Sequence, residues 1–265
     1  MKLDMHCHTR EGSPDARVTV AEYISILKEK GFDGMLITDH DSYNGYRAWK
    51  RMEHDPDFVV LKGIEYDTLD AGHMLVVMPE TVKLPILELR GLPLAILIEI
   101  VHRNGGIIGP AHPCGERFLS IFRTGIYKRY SGIASRFDFM EGFNACEESE
   151  NNDLADTYAR MYVKPAVGGS DAHWHDCVGM GYTVLEETVR RESELIRYFR
   201  DKKPVSCGGK RYYGTTKDKL GKANHLLVQS FWFYNRLEAL RHHRARTREL
   251  THLERQNDAG QEERK

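Results

Sequence analysis

Between residue 1 and about residue 207, short apolar runs alternate with stretches of helical periodicity. The runs at 3–7, 34–38, 58–64, 73–78, 107–111, 137–143, 165–169 and 182–185 have the length and apolar content of strands. Helical patterns cover 20–30, 43–53, 95–104, 115–130, 151–162 and 188–202. The first of these has a start signal, with Thr19 placed to cap and Glu22 three residues on to complete a capping box, and Gly31 ends it. Repeated strand–helix alternation predicts parallel strands with helices outside, as an open sheet or a closed barrel. One step breaks the alternation. Only a short turn over 67–72 separates the run ending at Glu65 from the one beginning at His73, which predicts a hairpin and an irregular barrel.

Beyond about Tyr213 the pattern changes. Ala223, Leu226, Phe233, Leu237 and Leu240 lie roughly on one helical face, and residues 236–255 then hold six Arg against three Glu. This predicts a helix docked on the barrel by its apolar face, with a solvated basic end. Contact with a second copy or a membrane surface is the other reading. The chain thus divides into a barrel domain over 1–213, a helical extension over 214–255, and a polar tail over 256–265 expected to be disordered.

Composition narrows this little. A chain of 265 residues can bury a core of its own, and its formal charge of −1 sets up no global field for nucleic acid or membrane. The longest apolar runs, 92–101 and 226–234, fall short of the roughly 20 residues a membrane span needs. Five cysteines without a C-x-x-C pair predict reduced thiols. No signal-peptide pattern precedes His6, and the expectation is a cytoplasmic protein.

The candidate chemistry sits at strand ends. Side chains alternate along a strand, so His6 and His8 project to one side and Cys7 to the other. The second strand ends in Thr38-Asp39-His40-Asp41, the third in Gly63-Ile64-Glu65, and the hairpin returns through Gly72-His73. Two later strands end in Ala111-His112-Pro113 and Ser170-Asp171-Ala172-His173. A solitary His or Asp in such a place is usually a cap or a satisfied polar group. Five clusters at the C-terminal edge, where parallel α/β architectures build their sites, are hard to explain by packing. That much buried imidazole and carboxylate is costly without a cation. Mixed nitrogen and oxygen donors without thiolate favour Mn²⁺, Fe²⁺ or Zn²⁺.

The ordered set H-x-H-T, S-x-D, T-D-H-D, G-x-E, G-H, A-H-P and S-D-A-H resembles the PHP (polymerase and histidinol phosphatase) family over roughly residues 1–207. The resemblance implies a distorted (β/α)7 TIM-like barrel with two or three metals at the C-terminal mouth. It implies a first metal held by His6, His8, Glu65 and Asp171, and a second that shares Glu65 with His73 and His112. A third would take Asp15, His40 and His173, with Glu11 competing for the place of Asp15. A water bridging two such ions loses a proton near neutral pH, and the ions neutralise phosphate charge, so Glu65 and Asp171 become catalytic candidates.

Substrate residues are read from position alone. Arg117, five residues beyond His112, and Asn144, past the sixth strand, are candidate substrate contacts, and His175 is a candidate general acid. Asp39 and Asp41 would orient imidazoles. Lys210 and Arg211 read as a basic turn that could also close over an anion. The expected function is hydrolysis of a phosphate ester, either a small metabolite, a nucleotide or a short oligonucleotide. No stable nucleic-acid complex and no membrane span are expected. A metal-dependent C–N hydrolase and a non-catalytic metal-binding module are the alternatives.

Overall fold

The computed structural model describes residues 1–262, with the side chains of 216, 217, 222 and 256–262 not described. Nine strands are drawn: β1 Lys2–Cys7, β2 Gly34–Ile37, β3 Val59–Asp67, β4 His73–Val77, β5 Ile107–Pro110, β6 Met140–Asn144, β7 Ala166–Gly169, β8 Gly181–Leu185 and β9 Val205–Gly209. The helices are α1 Val20–Glu29, α2 Asn44–Trp49, α3 Leu94–Arg103, α4 Gly125–Arg129, α5 Ser149–Met161, α6 Glu192–Arg200, α7 Thr216–Leu220, α8 Asn224–Arg241 and α9 His243–Glu262. Thr19 and Glu22 close the capping box on α1 in both directions.

Seven strands form one sheet in the order β5-β4-β3-β2-β1-β8-β9, and β6 pairs with β7 in a second. Hydrogen bonds join the two: Asp138 N–H donates to Ile108 O at 2.9 Å, and Asp171 N–H to His6 O at 2.8 Å. The result is an α/β fold with a curled, half-barrel sheet. Seven parallel units are not what the ladders draw. Only β1–β2, β2–β3 and β6–β7 pair in parallel, while β3–β4, β4–β5, β1–β8 and β8–β9 are antiparallel. For β3–β4 the physical reason is connection length, since that hairpin leaves no room for a crossover helix; β4–β5 and β8–β9 are antiparallel although α3 and α6 lie between their strands.

Packing follows the strand pattern. Leu3, Met5, Leu36, Leu61, Leu75, Phe139 and Val167 from the strands pack with Leu195 and Phe199 of α6. Tyr23 and Leu27 of α1 pack on Met35, Ile37 and Val60. Three expectations need correction. The helix over 115–130 is broken into a 3-10 turn at Ile121–Arg123 and the short α4, because Phe118 takes φ +78° and Ser120 and Thr124 are extended. Strand β9 is an addition; Ser206, Gly208 and Gly209 interrupt the apolar run that would have marked it.

The third correction concerns α8. Leu226, Phe233, Leu237 and Leu240 are 45–69 % exposed, so the apolar stripe faces away from the fold. The docked face instead carries Asn224, Val228, Asn235 and Ala239. It is held by polar contacts: Asn224 Nδ2 donates to Glu116 Oε1 (3.2 Å), Arg90 Nη1 to Asn235 Oδ1 (2.6 Å) and Arg236 Nη1 to Thr68 O (3.2 Å). Helix is drawn through Glu262, and the last three residues of the 256–265 tail lie outside the described residues. No helix among the described residues is long and apolar enough to cross a membrane.

Candidate metal centre

The strand directions put the polar clusters at one edge. β1, β2, β3, β5 and β7 end there, and β4 begins there, so the side chains that follow Cys7, Ile37, Pro110 and Gly169 converge with Glu65 and His73. Gly169 makes the approach possible: a Cβ there would stand 2.3 Å from that of His6. Asp4, fully buried, accepts from Ser170 N–H (2.9 Å), His6 N–H (3.3 Å) and the Tyr23 hydroxyl (3.1 Å), and so fixes the ends of β1 and β7 to each other.

All nine donor residues stand in one cluster. Glu65 lies at its centre, with Oε1 3.0 Å from His73 Nδ1 and 3.0 Å from His112 Nε2. Its Oε2 is 2.9 Å from His40 Nδ1, 3.3 Å from His8 Nε2 and 3.5 Å from His6 Nε2. Asp171 Oδ1 lies 3.1 Å from His8 Nε2 and 3.5 Å from His6 Nε2. At the lip, Asp15 Oδ2 is 3.3 Å from His173 Nε2 and 3.7 Å from His40 Nε2. Glu11 is used elsewhere, accepting from Val20 N–H at the start of α1.

This donor set fits divalent cations. Three overlapping triads offer ligand atoms within 4.8 Å of one another: His6, His8 and Asp171; His8, His40 and His173; His40, Glu65 and His73. Nε2 of His6 and Nε2 of His8 face each other at 3.1 Å, with two carboxylate oxygens beside them. Glu65 Oε2 is buried and makes no hydrogen bond among the described residues. Electron-rich atoms gathered this closely away from water need positive charge among them. Three site residues are also held at positive φ despite having a Cβ: Asp41 (+46°), His112 (+28°) and Asp171 (+50°). Such backbone strain persists where surrounding structure over-determines a site.

The electrostatics agree. Burial opposes ionisation of Glu65, yet His73, His40, His6 and the hydrogen bond from His112 hold its carboxyl well below the usual range. Burial opposes ionisation of Asp171 too, and His6 and His8 hold it well below its ordinary value. Burial and the neighbouring His40 and His173 lower His8 to about 3. For His40 burial works downward, but Glu65 and Asp15 outweigh it and raise the imidazole to about 10. The neighbouring imidazoles thus favour the anionic form of both carboxylates.

A residue that sequence reasoning missed organises the back of the cluster. Glu141 is 1 % exposed on β6; its Oε1 pairs with His6 Nδ1 at 2.9 Å, and its Oε2 accepts from the His112 backbone N–H and from Asn144 Nδ2 (3.1 Å). An Nδ1–H on His6 donating to Glu141 leaves the Nε2 lone pair directed at the cluster. The available signal was a lone carboxylate between Phe139-Met140 and Phe143 in a buried strand. Asp39 acts similarly on the other side, accepting from Thr9 N–H, Thr9 Oγ1–H and Ser13 Oγ–H, while Ser13 Oγ lies 3.1 Å from His8 Nδ1. Asp41 takes up Asp67 N–H and pairs with Arg90 rather than an imidazole.

The remaining candidates are placed less centrally. Asn144 donates from Nδ2 to both Glu141 and Asp171, so its amide is engaged by carboxylates. His175 reaches toward Glu22 of α1, with Nε2 at 3.4 Å from Oε2. The Arg117 guanidinium lies over the Phe118 ring at 5.0 Å, and Phe118 packs on Trp232 of α8. Arg211 pairs with Asp218 at 2.6 Å. A cleft of about 550 Å³ opens on Asp15, His40 and His73, and its cationic side chains are Arg17 and Arg90; α8 supplies the facing wall.

Comparison with known proteins adds the following. A family profile described as PHP-associated matches residues 149–204. An uncharacterized protein of Methanocaldococcus jannaschii is 24 % identical over 142 residues, covering 48 % of this chain and 80 % of that one. Among solved structures, a two-domain protein of Bacteroides vulgatus containing a predicted PHP-like metal-dependent phosphoesterase superposes with TM-score 0.56 and 15 % identity. That match covers 79 % of this chain and 65 % of the other. The lesion-specific endonuclease Q of Pyrococcus furiosus superposes with TM-score 0.54 and 18 % identity, covering 78 % and 57 % of the two chains.

Proposed function

We propose, on the premise that the chain belongs with the PHP domain family as its matched segment and fold support, that it is a metal-dependent phosphoesterase. The observation that carries this reading is the convergence of five imidazoles, those of His6, His8, His40, His73 and His112, on Glu65 at the strand edge, with Asp171, Asp15 and His173 beside them. His6, His8, Glu65 and Asp171 would hold one ion, His73 and His112 a second that shares Glu65, and Asp15, His40 and His173 a third. Bound divalent ions would supply charge neutralisation on phosphate oxygens and activation of water for attack at phosphorus.

The protein's own part is to prearrange the donors. Glu141 holds His6 from behind, Ser13 anchored by Asp39 holds His8, Asn144 holds Asp171, and Tyr212 donates its hydroxyl to Asp171 O at 2.8 Å. Orientation of this kind governs both metal retention and rate. Hydrolysis consumes one water and releases an alcohol and phosphate; with water as the attacking group at phosphorus, no Ser or Cys nucleophile is needed.

The test is a panel of phosphomonoesters, nucleotides and dinucleotides assayed with Mn²⁺, Fe²⁺ and Zn²⁺. Turnover of at least one ester is expected, and Glu65→Gln should abolish it. A protein that holds its metals yet cleaves amides and no ester would move the assignment to C–N hydrolysis.

A further inference from the structure

We propose that α8 is the substrate-selecting wall of the cleft, and that the cleft takes a small phosphate ester whose leaving group carries a flat ring. The inference rests on the phosphoesterase reading and adds the chemistry of the leaving group. His40 and His73 of the metal centre line the same cleft as Phe231 and Tyr234 of α8. Those two rings are 37 % and 55 % exposed, on a helix whose neighbouring Asn235 and Ala239 are buried. Aromatic surface is thus left open toward the metal centre while the contacts that hold the helix are polar.

Arg90 connects the two sides. Its Nη1 donates to Asn235 Oδ1 at 2.6 Å and its Nη2 lies 3.0 Å from Asp41 Oδ2, next in sequence to His40. The rings are therefore tied to the cluster by a partly buried polar chain rather than by a free loop. A volume of about 550 Å³ is that of a small-molecule pocket. α8 is also pinned over the residues beside the mouth, through Thr68, Arg90 and Glu116. A small ester enters without moving the helix, whereas a polymer would have to displace it. Phosphate at the cluster and a ring against Phe231 and Tyr234 use both ends of the cleft.

The experiment compares wild type, Phe231→Ala, Tyr234→Ala, the double Ala variant and Tyr234→Phe. The probes are phenyl phosphate and methyl phosphate for turnover, and phenylphosphonate and methylphosphonate for binding by calorimetry. The ratio of kcat/KM for phenyl over methyl phosphate should fall about ten- to a hundredfold in the double variant, the worth of aromatic stacking, and mainly through KM. Phenylphosphonate should lose affinity by a similar factor, and Tyr234→Phe should keep the wild-type ratio. An unchanged ratio in a double variant that folds and turns over overturns the proposal and leaves the phosphoesterase reading standing. A wild type that cleaves neither ester and binds neither phosphonate overturns the proposal, and one that also turns over no nucleotide or dinucleotide overturns the phosphoesterase reading with it.

Discussion

Glu141 touches two imidazole-bearing residues at once, His6 through its ring and His112 through its backbone, and a third group in Asn144. Removing its charge while keeping its size should loosen the ligands without emptying the fold. Glu141→Gln is expected to lower metal affinity by about 10–100-fold, the usual effect of losing an acceptor behind a ligating histidine. Metal titration of the dialysed protein checks this, and an affinity equal to wild type would remove Glu141 from the site. Eight of the cluster residues were legible as polar groups in or beside apolar runs, and strand alternation aims His6 and His8 alike, whereas Asp15 lies in the loop after His8 and was reached only through the family resemblance. Glu141 was not, because a carboxylate inside a strand has no motif of its own. Arg117 was named from its position five residues beyond His112, and the structure places its guanidinium over the Phe118 ring.

Among the elements, α8 departs furthest from its reading. A stripe of Leu226, Phe233, Leu237 and Leu240 predicts burial of that face, yet Asn235 and Ala239 of α8, with Arg246 of α9 beside them, make the contacts. Periodicity reports that a helix has an apolar face; it does not report which neighbour lies under it. The docking depends on a close backbone approach at Gly91, which has φ +93°, and a Cβ there would stand 2.6 Å from the Ala239 Cβ. Arg246 Nη1 donates to Arg90 O beside it, and to Ala239 O at 2.8 Å. Gly91→Ala should therefore destabilise the protein by about 1–3 kcal/mol, through backbone strain and the clash. In a domain of this size that is a fall in Tm of roughly 2–4 °C per kcal/mol. Amide exchange should speed up in α8 more than in β1–β3. A rise that is uniform over the chain would mean that α8 does not dock through this contact.

At the scale of the molecule, the strand–helix order and the hairpin at 67–72 were readable, since both depend on local pattern and connection length. The curl of the sheet was not, because β6 and β7 join the rest through a few hydrogen bonds near Ile108 and His6 that leave no periodic trace. The curl nevertheless builds the cluster, by bringing the end of β7 beside that of β1 so that Asp171 meets His6 and His8. The account's central claim is that this edge binds a cluster of divalent ions. Elemental analysis of the purified chain after reconstitution with Mn²⁺, Fe²⁺ or Zn²⁺ tests it most directly. Two to three ions per chain are predicted, falling in the Glu65→Gln variant; one ion or none per chain under every reconstitution would contradict it.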